Sequence, residues 1–364
     1  MGRRMQDKAF DFDCVKMIFS LVTLLGLLLV TLHSEAQQCK NLFQNEIANY
    51  SRNKTPSDSP PPVPTSSGWN REHLRVITFN AEDFTLFEKI DPKNNRVKPK
   101  SEKHVKAIAK NLFSNRPDII TLQEIGSRYS LEKLASLAEK DAYEVVFIQG
   151  NDFVTGKNSS GEGYNRHIGF LIKKSLNLSH TVLANIRIPY SGSDPNRKFL
   201  FDRGLPVLTF YESGSSVPLF SVIGVHNHSI GVEGKFGDLK WKEELAMVEM
   251  IKKTQQTFGQ NFPIILMGDM NQAVNSVTQL TRLKESMIDS FDDFKMPAFG
   301  VERTTQIFQR PGQLTVTARQ ADAVFISSPL RNRVIQAKTL PFANDDVSDH
   351  RPVMVDLDFS ELLN

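Results

Sequence analysis

The feature that most constrains the fold is a set of apolar runs that each end in polar residues able to carry chemistry. The run 264–267 ends in Gly-Asp-Met-Asn, the run 119–122 ends in Gln-Glu, and the run 76–79 ends in Asn80. Short apolar runs bounded by turn residues are typical of buried strands. A chain that repeats this pattern can build one cleft from distant segments, and these residue types suit metal-assisted attack on phosphorus.

The composition predicts one large domain with short appendages. The chain has 364 residues, a hydrophobic content of 40% and a formal net charge of +3. This mildly basic balance permits an anionic substrate but does not demand a nucleic-acid partner. The only cysteines are Cys14 and Cys39, so residues 69–364 can have neither a disulfide framework nor a thiolate metal site. Their absence there also suits an oxidising compartment, in which stray thiols mispair.

The N-terminus has the pattern of an export signal. Basic residues precede an apolar run over 17–32. Ser34 and Ala36 are small residues at the two positions that a signal peptidase recognises in its cleavage site. A spanning helix needs about 20 residues, so the shorter run favours a cleaved signal over a retained anchor, although three early aspartates are unusual in a signal. We predict a signal peptide or membrane anchor at 1–36. The protein is then exported: periplasmic, secreted, or anchored with its catalytic domain outside.

The following segment has the composition of a tether. Residues 51–68 are rich in proline and serine, with Val63 as the largest apolar side chain. Such a segment cannot bury enough apolar surface to fold. We therefore predict a tether at 37–68 and a catalytic domain at 69–364, contacting a membrane only through an N-terminal anchor. We expect this domain to be a monomer.

Beyond residue 73 the sequence alternates between the periodicities of strands and helices. We predict strands over 74–80, 118–123, 143–149, 168–173, 207–211, 219–225, 264–267, 322–327 and 352–357, and helices over 103–115, 130–140 and 239–258. Mixed strands with interposed helices favour two sheets packed face to face with helices outside. The predicted fold class is α/β, a four-layer sandwich of two mixed β-sheets flanked by helices.

Glu124 is a candidate metal ligand. It directly follows the apolar run 119–122 and Gln123, so its carboxylate should lie at the end of a buried strand. There it can bind a hard cation such as Mg²⁺ through oxygen. Taken alone, such a residue is more often a solvated acid in a loop.

Asp269 and Asn271 follow the next buried run. Gly268 permits a tight turn, and the two polar residues are two positions apart, so they can face the same way. An ionised aspartate can orient or deprotonate a water molecule, and an asparagine amide can donate to a phosphoryl oxygen that gains charge. An ordinary turn explains the same residue types equally well.

Four further positions complete the candidate site. Asp349 and His350 are neighbours, so we expect their side chains to point in opposite directions and to have separate partners. A carboxylate that fixes the tautomer of His350 is the natural partner, and Asp322, at the start of an apolar strand, is the candidate. His226 ends the run 220–225 and could contact phosphate or protonate a leaving oxygen. A metal site shared by His226 and His228 is the rival interpretation.

Together these motifs resemble those of the endonuclease/exonuclease/phosphatase superfamily, which includes deoxyribonuclease I, abasic-site endonucleases, bacterial sphingomyelinases and inositol polyphosphate phosphatases. The resemblance is closest to secreted bacterial members and spans residues 74–357. It rests on six motifs in family order: Val-Ile-Thr-Phe-Asn80 with Glu82 and Phe84, Leu-Gln-Glu124, Val-His226, Gly-Asp269-Met-Asn271, Asp322 within its strand, and Ser-Asp349-His350. It implies the deoxyribonuclease I-like form of the predicted sandwich.

The resemblance also implies a role for each motif residue. Glu124 would bind a divalent ion, Mg²⁺ or alternatively Mn²⁺ or Ca²⁺, with Asn80, Glu82 and Asp349 near it. Asp269 would position or activate the attacking water. The scissile phosphate would contact Asn271, His226 and His350, and Asp322 would orient His350. Arg166 and Arg203 match arginines of many secreted members and would bind the substrate phosphate.

The resemblance leaves the substrate open. A phosphodiesterase acting on nucleic acid is favoured, and a sphingomyelinase-like enzyme or an inositol or sugar phosphate phosphoesterase is the alternative. A non-catalytic module on the same fold would have lost motif residues, and none is lost. The sequence departs from the family pattern at Asn227-His228, Gln272 and Val324. These changes, together with the loops 152–164 and 230–238, are expected to shape the substrate pocket.

Overall fold

The structure is a computed structural model that describes residues 73–86, 99–151, 166–184, 186–190, 198–229, 239–298, 300–308, 316–342 and 347–360. The predicted signal or anchor, the tether and the loops 152–164 and 230–238 lie outside these residues. In the described part, none of the helices combines the length and the apolar character that a membrane crossing requires.

The described chain forms fourteen strands and five α-helices. The strands are β1 (His73–Phe84), β2 (Ile119–Ile125), β3 (Tyr143–Ile148), β4 (His167–Lys173), β5 (Leu178–Leu183), β6 (Val207–Glu212), β7 (Pro218–His226), β8 (Ile264–Asp269), β9 (Ile288–Asp289), β10 (Gln306–Phe308), β11 (Thr317–Arg319), β12 (Asp322–Ile326), β13 (Val334–Thr339) and β14 (Val353–Asp358). The helices are α1 (Glu102–Phe113), α2 (Arg128–Ala135), α3 (Leu239–Phe258), α4 (Thr281–Ser286) and α5 (Ser290–Asp293).

Twelve of the strands form two mixed sheets of six. The first sheet has the order β13-β14-β1-β2-β4-β3 and the second has the order β5-β6-β7-β8-β12-β9, while β10 and β11 form a separate hairpin. At the centre of each sheet lies one parallel pair, β1 with β2 and β7 with β8. The carboxyl ends of a parallel pair lie at the same edge, so each sheet brings two strand ends together there.

Alternation along the strands explains the four layers. In β8, Ile264 and Leu266 pack in the core beneath α3, whereas Ile265 and Met267 pack in the core between the two sheets. A third core lies between the first sheet and helices α1 and α2. Because both faces of each sheet are covered, the central strands appear in the sequence as continuous apolar runs.

The predicted four-layer sandwich is therefore confirmed. Each of the predicted strands and helices is present with bounds shifted by a few residues, and α3 has the predicted bounds. The sequence did not predict the short strands β9, β10 and β11 or the more exposed strands β5 and β13. Of these, the β10–β11 hairpin matters for the site.

Candidate active site

Three neighbouring strands of the second sheet bring His226, Asp269 and Asp322 side by side. His226 is opposite Asp269 in the β7–β8 pair, and Asp322 is opposite Asp269 in the β12–β8 pair. All three side chains are buried. Gly268 has a φ of +154°, and a Cβ at this position would overlap the carbonyl oxygen of Val225. Only glycine permits this close approach, which sets the position of Asp269.

The first sheet contributes to the site through a β-bulge. β1 and β2 pair in parallel as far as Asn80, after which the register shifts. Within the bulge, Glu82, Asp83 and Glu124 have positive φ angles of 47°, 50° and 60°. Non-glycine residues in this region cost on the order of 1–3 kcal/mol each and are concentrated at functional sites. The bulge re-aims these carboxylates away from the regular alternation of a strand.

Asn80 joins the two sheets at the centre of the site. Its Nδ2 donates to Oε1 of Glu124 at 3.3 Å and to Oδ2 of Asp269 at 3.0 Å. Nε2 of His226 lies 3.5 Å from the same Glu124 oxygen and 3.6 Å from the same Asp269 oxygen. Glu124 and Asp269, distant in sequence, therefore belong to one site. The amide nitrogen of Asn80 faces the carboxylates, while its Oδ1 accepts from the backbone N–H of Glu82 at 3.0 Å. A metal-binding role for Asn80 stays a prediction.

His350 lies between two buried carboxylates. Its Nδ1 is 2.7 Å from Oδ2 of Asp322, and its Nε2 is 3.9 Å from Oδ2 of Asp269. Burial lowers the pKa of His350, but the charges of Asp322 and Asp269 outweigh burial and raise the pKa to about 10. His350 is therefore an imidazolium at neutral pH, with a hydrogen to donate from each ring nitrogen.

His226 has the opposite electrostatic environment. Burial, together with the guanidinium groups of Arg203 and Arg166, lowers the pKa of His226 well below its ordinary value. Neither of its buried ring nitrogens has a hydrogen-bond partner within the described residues. Buried polar atoms are usually bonded, so this neutral imidazole retains hydrogen-bonding capacity for a group that enters the site.

The carboxylate of Asp269 is held by amide donors. Its Oδ1 accepts from the backbone N–H of Asn271 at 2.7 Å, and its Oδ2 accepts from the side chain of Asn271 at 2.8 Å. Burial raises the pKa of Asp269; His350 opposes that rise and Asp322 adds to it. Nδ2 of Asn271 also donates to the carbonyl oxygen of Asn227 at 2.8 Å. Both amide hydrogens of Asn271 are thus used within the protein.

Asp349 and Glu82 form the more open side of the site. Burial raises the pKa of Asp349. The charge of His350 opposes this rise, and the neighbouring carboxylate of Glu82 adds to it. The Glu82 carboxylate lies 3.3 Å from Nζ of Lys100. His350 has the predicted partner, Asp322, but it does not point away from Asp349, because its Nε2 is 3.7 Å from Oδ1 of Asp349. The two residues also share a neighbour, since Nε2 of Gln306 lies 3.4 Å from Oδ2 of Asp349 and 2.8 Å from Nε2 of His350. A strand pairing between Gln306 and His350 brings this side chain to both residues.

The two predicted arginines occupy different depths. Arg166 has a side chain that is 42% exposed, and it binds both oxygens of Asp83 at 2.9 and 3.3 Å while its Nε lies 3.5 Å from Oε2 of Glu124. Arg203 is buried and donates to the carbonyl oxygen of Asn227 at 2.8 Å. Arg166 is thus at the mouth of the site, whereas Arg203 supports the segment after β7. Their binding of substrate stays a prediction.

The rival two-histidine metal site is not formed. Nδ1 of His228 is 2.5 Å from Oε1 of Glu243, and Nε2 of His228 is 2.7 Å from Oδ2 of Asp202. Both ring nitrogens of His228 are therefore bound to carboxylates. His226 instead faces Glu124 and Asp269. His228 fixes the segment after β7 rather than sharing a metal with His226.

Solved structures share this architecture at low sequence identity. TDP2 from D. rerio, complexed with single-strand DNA product, has a TM-score of 0.52 and 15% identity, covering 78% of this chain and 98% of that chain. The human Nocturnin catalytic domain with bound sulfate has a TM-score of 0.52 and 14% identity, covering 81% and 96%. An endonuclease/exonuclease/phosphatase family protein from Bacteroides thetaiotaomicron has a TM-score of 0.50 and 16% identity, covering 79% and 98%. No family model and no curated protein sequence matches this chain.

The chain has the endonuclease/exonuclease/phosphatase fold. The resemblance inferred from the six motifs is confirmed at this level. Similarity at 14–16% identity shows the fold alone, so the role of each residue depends on the geometry of this site.

A divalent cation, which this fold implies, fits the residues around Glu124. Burial raises the pKa values of Asp83 and Asp349, and repulsion adds to the rise, from Glu124 at Asp83 and from Glu82 at Asp349. A nearby cation would relieve that repulsion. Carboxylate oxygens are the ligands that Mg²⁺, Mn²⁺ and Ca²⁺ prefer. Ligand atoms of Asp269, Asp322 and His350 also lie within 4.8 Å of one another. The 2.7 Å contact between His350 and Asp322 is a hydrogen bond, however, so the group around Glu124 fits a cation better.

Three residues of the site were missed by the sequence analysis. Asp83 was overlooked because only the bulge turns it toward Arg166 and Glu124. Gln306 and Arg319 belong to the β10–β11 hairpin, whose strands have three residues each and show no clear periodicity. A possible signal was the position of Arg319, three residues before the motif residue Asp322.

Proposed function

We propose that this protein is an exported, divalent-metal-dependent phosphodiesterase that hydrolyses nucleic acid by in-line attack of water on phosphorus. The observation that carries the proposal is the convergence of Glu124, Asp269, His226 and His350 around Asn80 at one edge of two packed sheets. Acidic, neutral and cationic groups within a few ångströms suit a reaction that develops charge on phosphoryl oxygens. A purely structural cluster has no need of unpaired buried nitrogens such as those of His226.

Asp269 accepts the proton of the attacking water. The amide hydrogen bonds from Asn80 and Asn271 hold its carboxylate in one orientation. Its raised pKa makes it a stronger base than an ordinary aspartate. We expect its removal to lower turnover by about 10²–10⁴-fold, the usual contribution of a general base.

His350 and His226 stabilise the phosphoryl group in different ways. His350 is cationic and donates from Nε2, while Asp322 fixes its ring through Nδ1. His226 is neutral and supplies a hydrogen bond without adding charge. Arg166, at the mouth of the site, is placed to exchange its Asp83 contact for a phosphate oxygen.

Glu124 is the residue that would hold the metal ion, together with Asp83, whose carboxyl group interacts with that of Glu124. The motif resemblance adds Asp349 and Glu82. When bound, the ion neutralises charge on the non-bridging oxygens of the phosphodiester. Arg166 lies 3.5 Å from Glu124, so the guanidinium and the ion have to share this carboxylate.

A nucleic-acid substrate is favoured over a lipid headgroup by two observations. TDP2 from D. rerio, which shares the fold, was solved with single-strand DNA product. Binding to lipid by exposed aromatic residues has little support, because the exposed aromatic side chains of the described surface are Tyr129, on α2, and Phe294, after α5. Export is inferred from the N-terminal pattern and the lack of cysteine in residues 69–364.

The test is a panel of DNA, RNA, sphingomyelin and sugar phosphates assayed with and without Mg²⁺, using wild type, Glu124→Gln, Asp269→Asn and the exposed control Glu132→Gln. We expect wild type and the control to hydrolyse nucleic acid only with metal, and the two site variants to lose that activity. Release of choline phosphate from vesicles without nucleic-acid cleavage would instead support the lipid alternative. Full activity of Asp269→Asn on every substrate would refute the mechanism.

A further inference from the structure

The β10–β11 hairpin brings an amide side chain to His350. Its entry strand pairs with the segment around His350: the N–H of Ile307 donates to the carbonyl of Asp349 at 3.0 Å, and the N–H of Arg351 donates to the carbonyl of Thr305 at 2.6 Å. Gln306 and His350 face each other in this pairing. The main chain at Gln306 is therefore fixed by backbone hydrogen bonds, and only its side chain is able to move.

The orientation of the Gln306 amide is set by Arg319. Nε of Arg319 donates to Oε1 of Gln306 at 2.7 Å, which leaves the NH₂ group pointing into the site, 2.8 Å from Nε2 of His350 and 3.4 Å from Asp349. The reversed amide would direct NH₂ hydrogens at the guanidinium, which can only donate, whereas a ring nitrogen of histidine can donate or accept. The amide hydrogens thus point to the place where His350 meets a substrate.

The other two amides of the site have no hydrogen left for substrate. Both hydrogens of Asn271 are donated, to Asp269 and to the carbonyl of Asn227. Nδ2 of Asn80 donates to Glu124 and Asp269. The phosphate-binding role that the motif resemblance implies for Asn271 therefore needs another donor. The Gln306 amide also faces protein atoms, but its contact with Asp349 is long, at 3.4 Å, and its other neighbour is a ring nitrogen rather than a carboxylate or carbonyl oxygen. It is therefore the amide of this site that a phosphoryl oxygen can engage most readily.

We propose that Gln306 is a further substrate-binding residue, whose amide N–H donates to the non-bridging phosphoryl oxygen that His350 also contacts. Arg319 is its positioning residue. This inference rests on the proposed function and names a donor within the same site.

The chemistry follows from the 2.8 Å separation of the two nitrogens. A phosphoryl oxygen only accepts, so it bonds to Nε2 of His350 when that nitrogen carries a hydrogen. The amide nitrogen of Gln306 is then a second donor beside the same oxygen. Because Nε2 of Gln306 and Nε2 of His350 are only 2.8 Å apart, an oxygen that bonds to one of them lies close to the other. In the structure the amide faces the ring nitrogen itself, and a substrate oxygen placed beside both nitrogens would accept from both.

The test compares Gln306→Ala and Gln306→Glu with a matched control, Gln320→Ala. Gln320 is a buried glutamine beyond the end of the hairpin, and its amide donates to Asp289 at 2.9 Å, away from His350. With Mg²⁺ and a dinucleotide phosphodiester, we expect Gln306→Ala to lower kcat/KM by about 100-fold, mainly through kcat, as for loss of one oxyanion donor. Gln306→Glu should be worse, because a carboxylate repels phosphate. Gln320→Ala should lower the thermal midpoint and leave kcat near wild type.

A stereochemical readout separates binding from structural support. The two phosphorothioate diastereomers of the dinucleotide replace one non-bridging oxygen at a time with sulfur, a weaker acceptor. Wild type should discriminate between them, and Gln306→Ala should lose much of that discrimination. Arg319→Met should reduce it in part, and Arg319→Lys should restore it at least partly.

Each outcome decides the question. Gln306→Glu keeps the side-chain shape and serves as the second variant if Gln306→Ala unfolds. Wild-type kcat/KM and unchanged diastereomer discrimination in a folded Gln306 variant would overturn the inference while the phosphodiesterase function stands. Absence of hydrolysis by wild type on every phosphodiester would instead refute the proposed function, and the inference with it.

Discussion

The Asp322→Asn substitution tests the charge arrangement of the site most directly. Asp322 and His350 are both buried, and the carboxylate oxygen lies 2.7 Å from Nδ1. At an effective dielectric constant near 20, two unit charges at this distance attract by about 6 kcal/mol. One pKa unit corresponds to about 1.4 kcal/mol, so this attraction is large enough to account for the whole rise of the His350 pKa from 6.5 to about 10, and loss of the charge should return the pKa to its ordinary range.

The assay is kcat against pH with Mg²⁺ and a soluble phosphodiester. In wild type, we expect activity to rise as Asp269 ionises, above the ordinary aspartate range because its pKa is raised, and to fall only near pH 10 as His350 loses its proton. In Asp322→Asn the upper limb should move to near neutral pH. The maximum rate should fall by about 10²–10⁴-fold, since the ring also loses the group that fixes its tautomer.

Stability gives an independent readout of the same pair. The folded-state pKa of His350 is above its ordinary value of 6.5, so the pair stabilises the fold fully below pH 6.5, and this contribution is lost as the pH rises toward 10. Urea unfolding of wild type should therefore show falling stability across this window, and Asp322→Asn should show a flatter dependence. Asp289→Asn is the control, because it removes a buried carboxylate bonded to Gln320 rather than to His350. An Asp322→Asn enzyme whose upper limb stays near pH 10 would refute the reasoning.

Three further substitutions test separate parts of the site. Gly268→Ala introduces a methyl group that overlaps the carbonyl of Val225, so we expect a loss on the order of 3 kcal/mol or more in urea unfolding; a wild-type midpoint would contradict the close approach. Glu124→Gln should abolish the heat of Mg²⁺ binding in calorimetry without lowering the thermal midpoint, and undiminished heat would place the metal elsewhere. Asp83→Asn removes the charge that binds Arg166 at 2.9 Å, so KM should change more than kcat, and unaltered steady-state kinetics would show that the pair is only structural.

The elements that sequence predicted well are those buried on both sides. Strands β2 and β8 are fully buried along their length, so they appear as unbroken apolar runs followed by polar residues. Strand β13 is only partly buried, with Ile335 exposed and Lys338 half-buried. Its apolar pattern is therefore weak, and it was missed although it pairs with β14 along most of its length.

The same distinction applies to the site. Asp269 and His226 were predicted because each ends a continuous apolar run, and the structure shows that a parallel pair of strands places these two ends together. Asp83 and Gln306 could not be predicted in this way, because one depends on a bulge and the other on a hairpin packed against a distant segment. The bulge and the hairpin both arise from tertiary contacts that override local periodicity. A search of the sequence for polar residues at strand ends could therefore not have found Asp83 or Gln306.

The two histidines of the site show how one set of carboxylates supports two functions. His350 is in hydrogen-bond contact with Asp322 and near Asp269, so it keeps its proton. His226 is as deeply buried, but it lies farther from its nearest carboxylates. Burial and the positive charges of Arg203 and Arg166 lower its pKa, so it stays neutral. Environments that push the pKa values of neighbouring groups apart assign different roles to chemically identical side chains. In the proposed mechanism a cationic donor and a neutral donor would therefore face one phosphate position, and exchanging their charges would require moving the arginines as well as the acids.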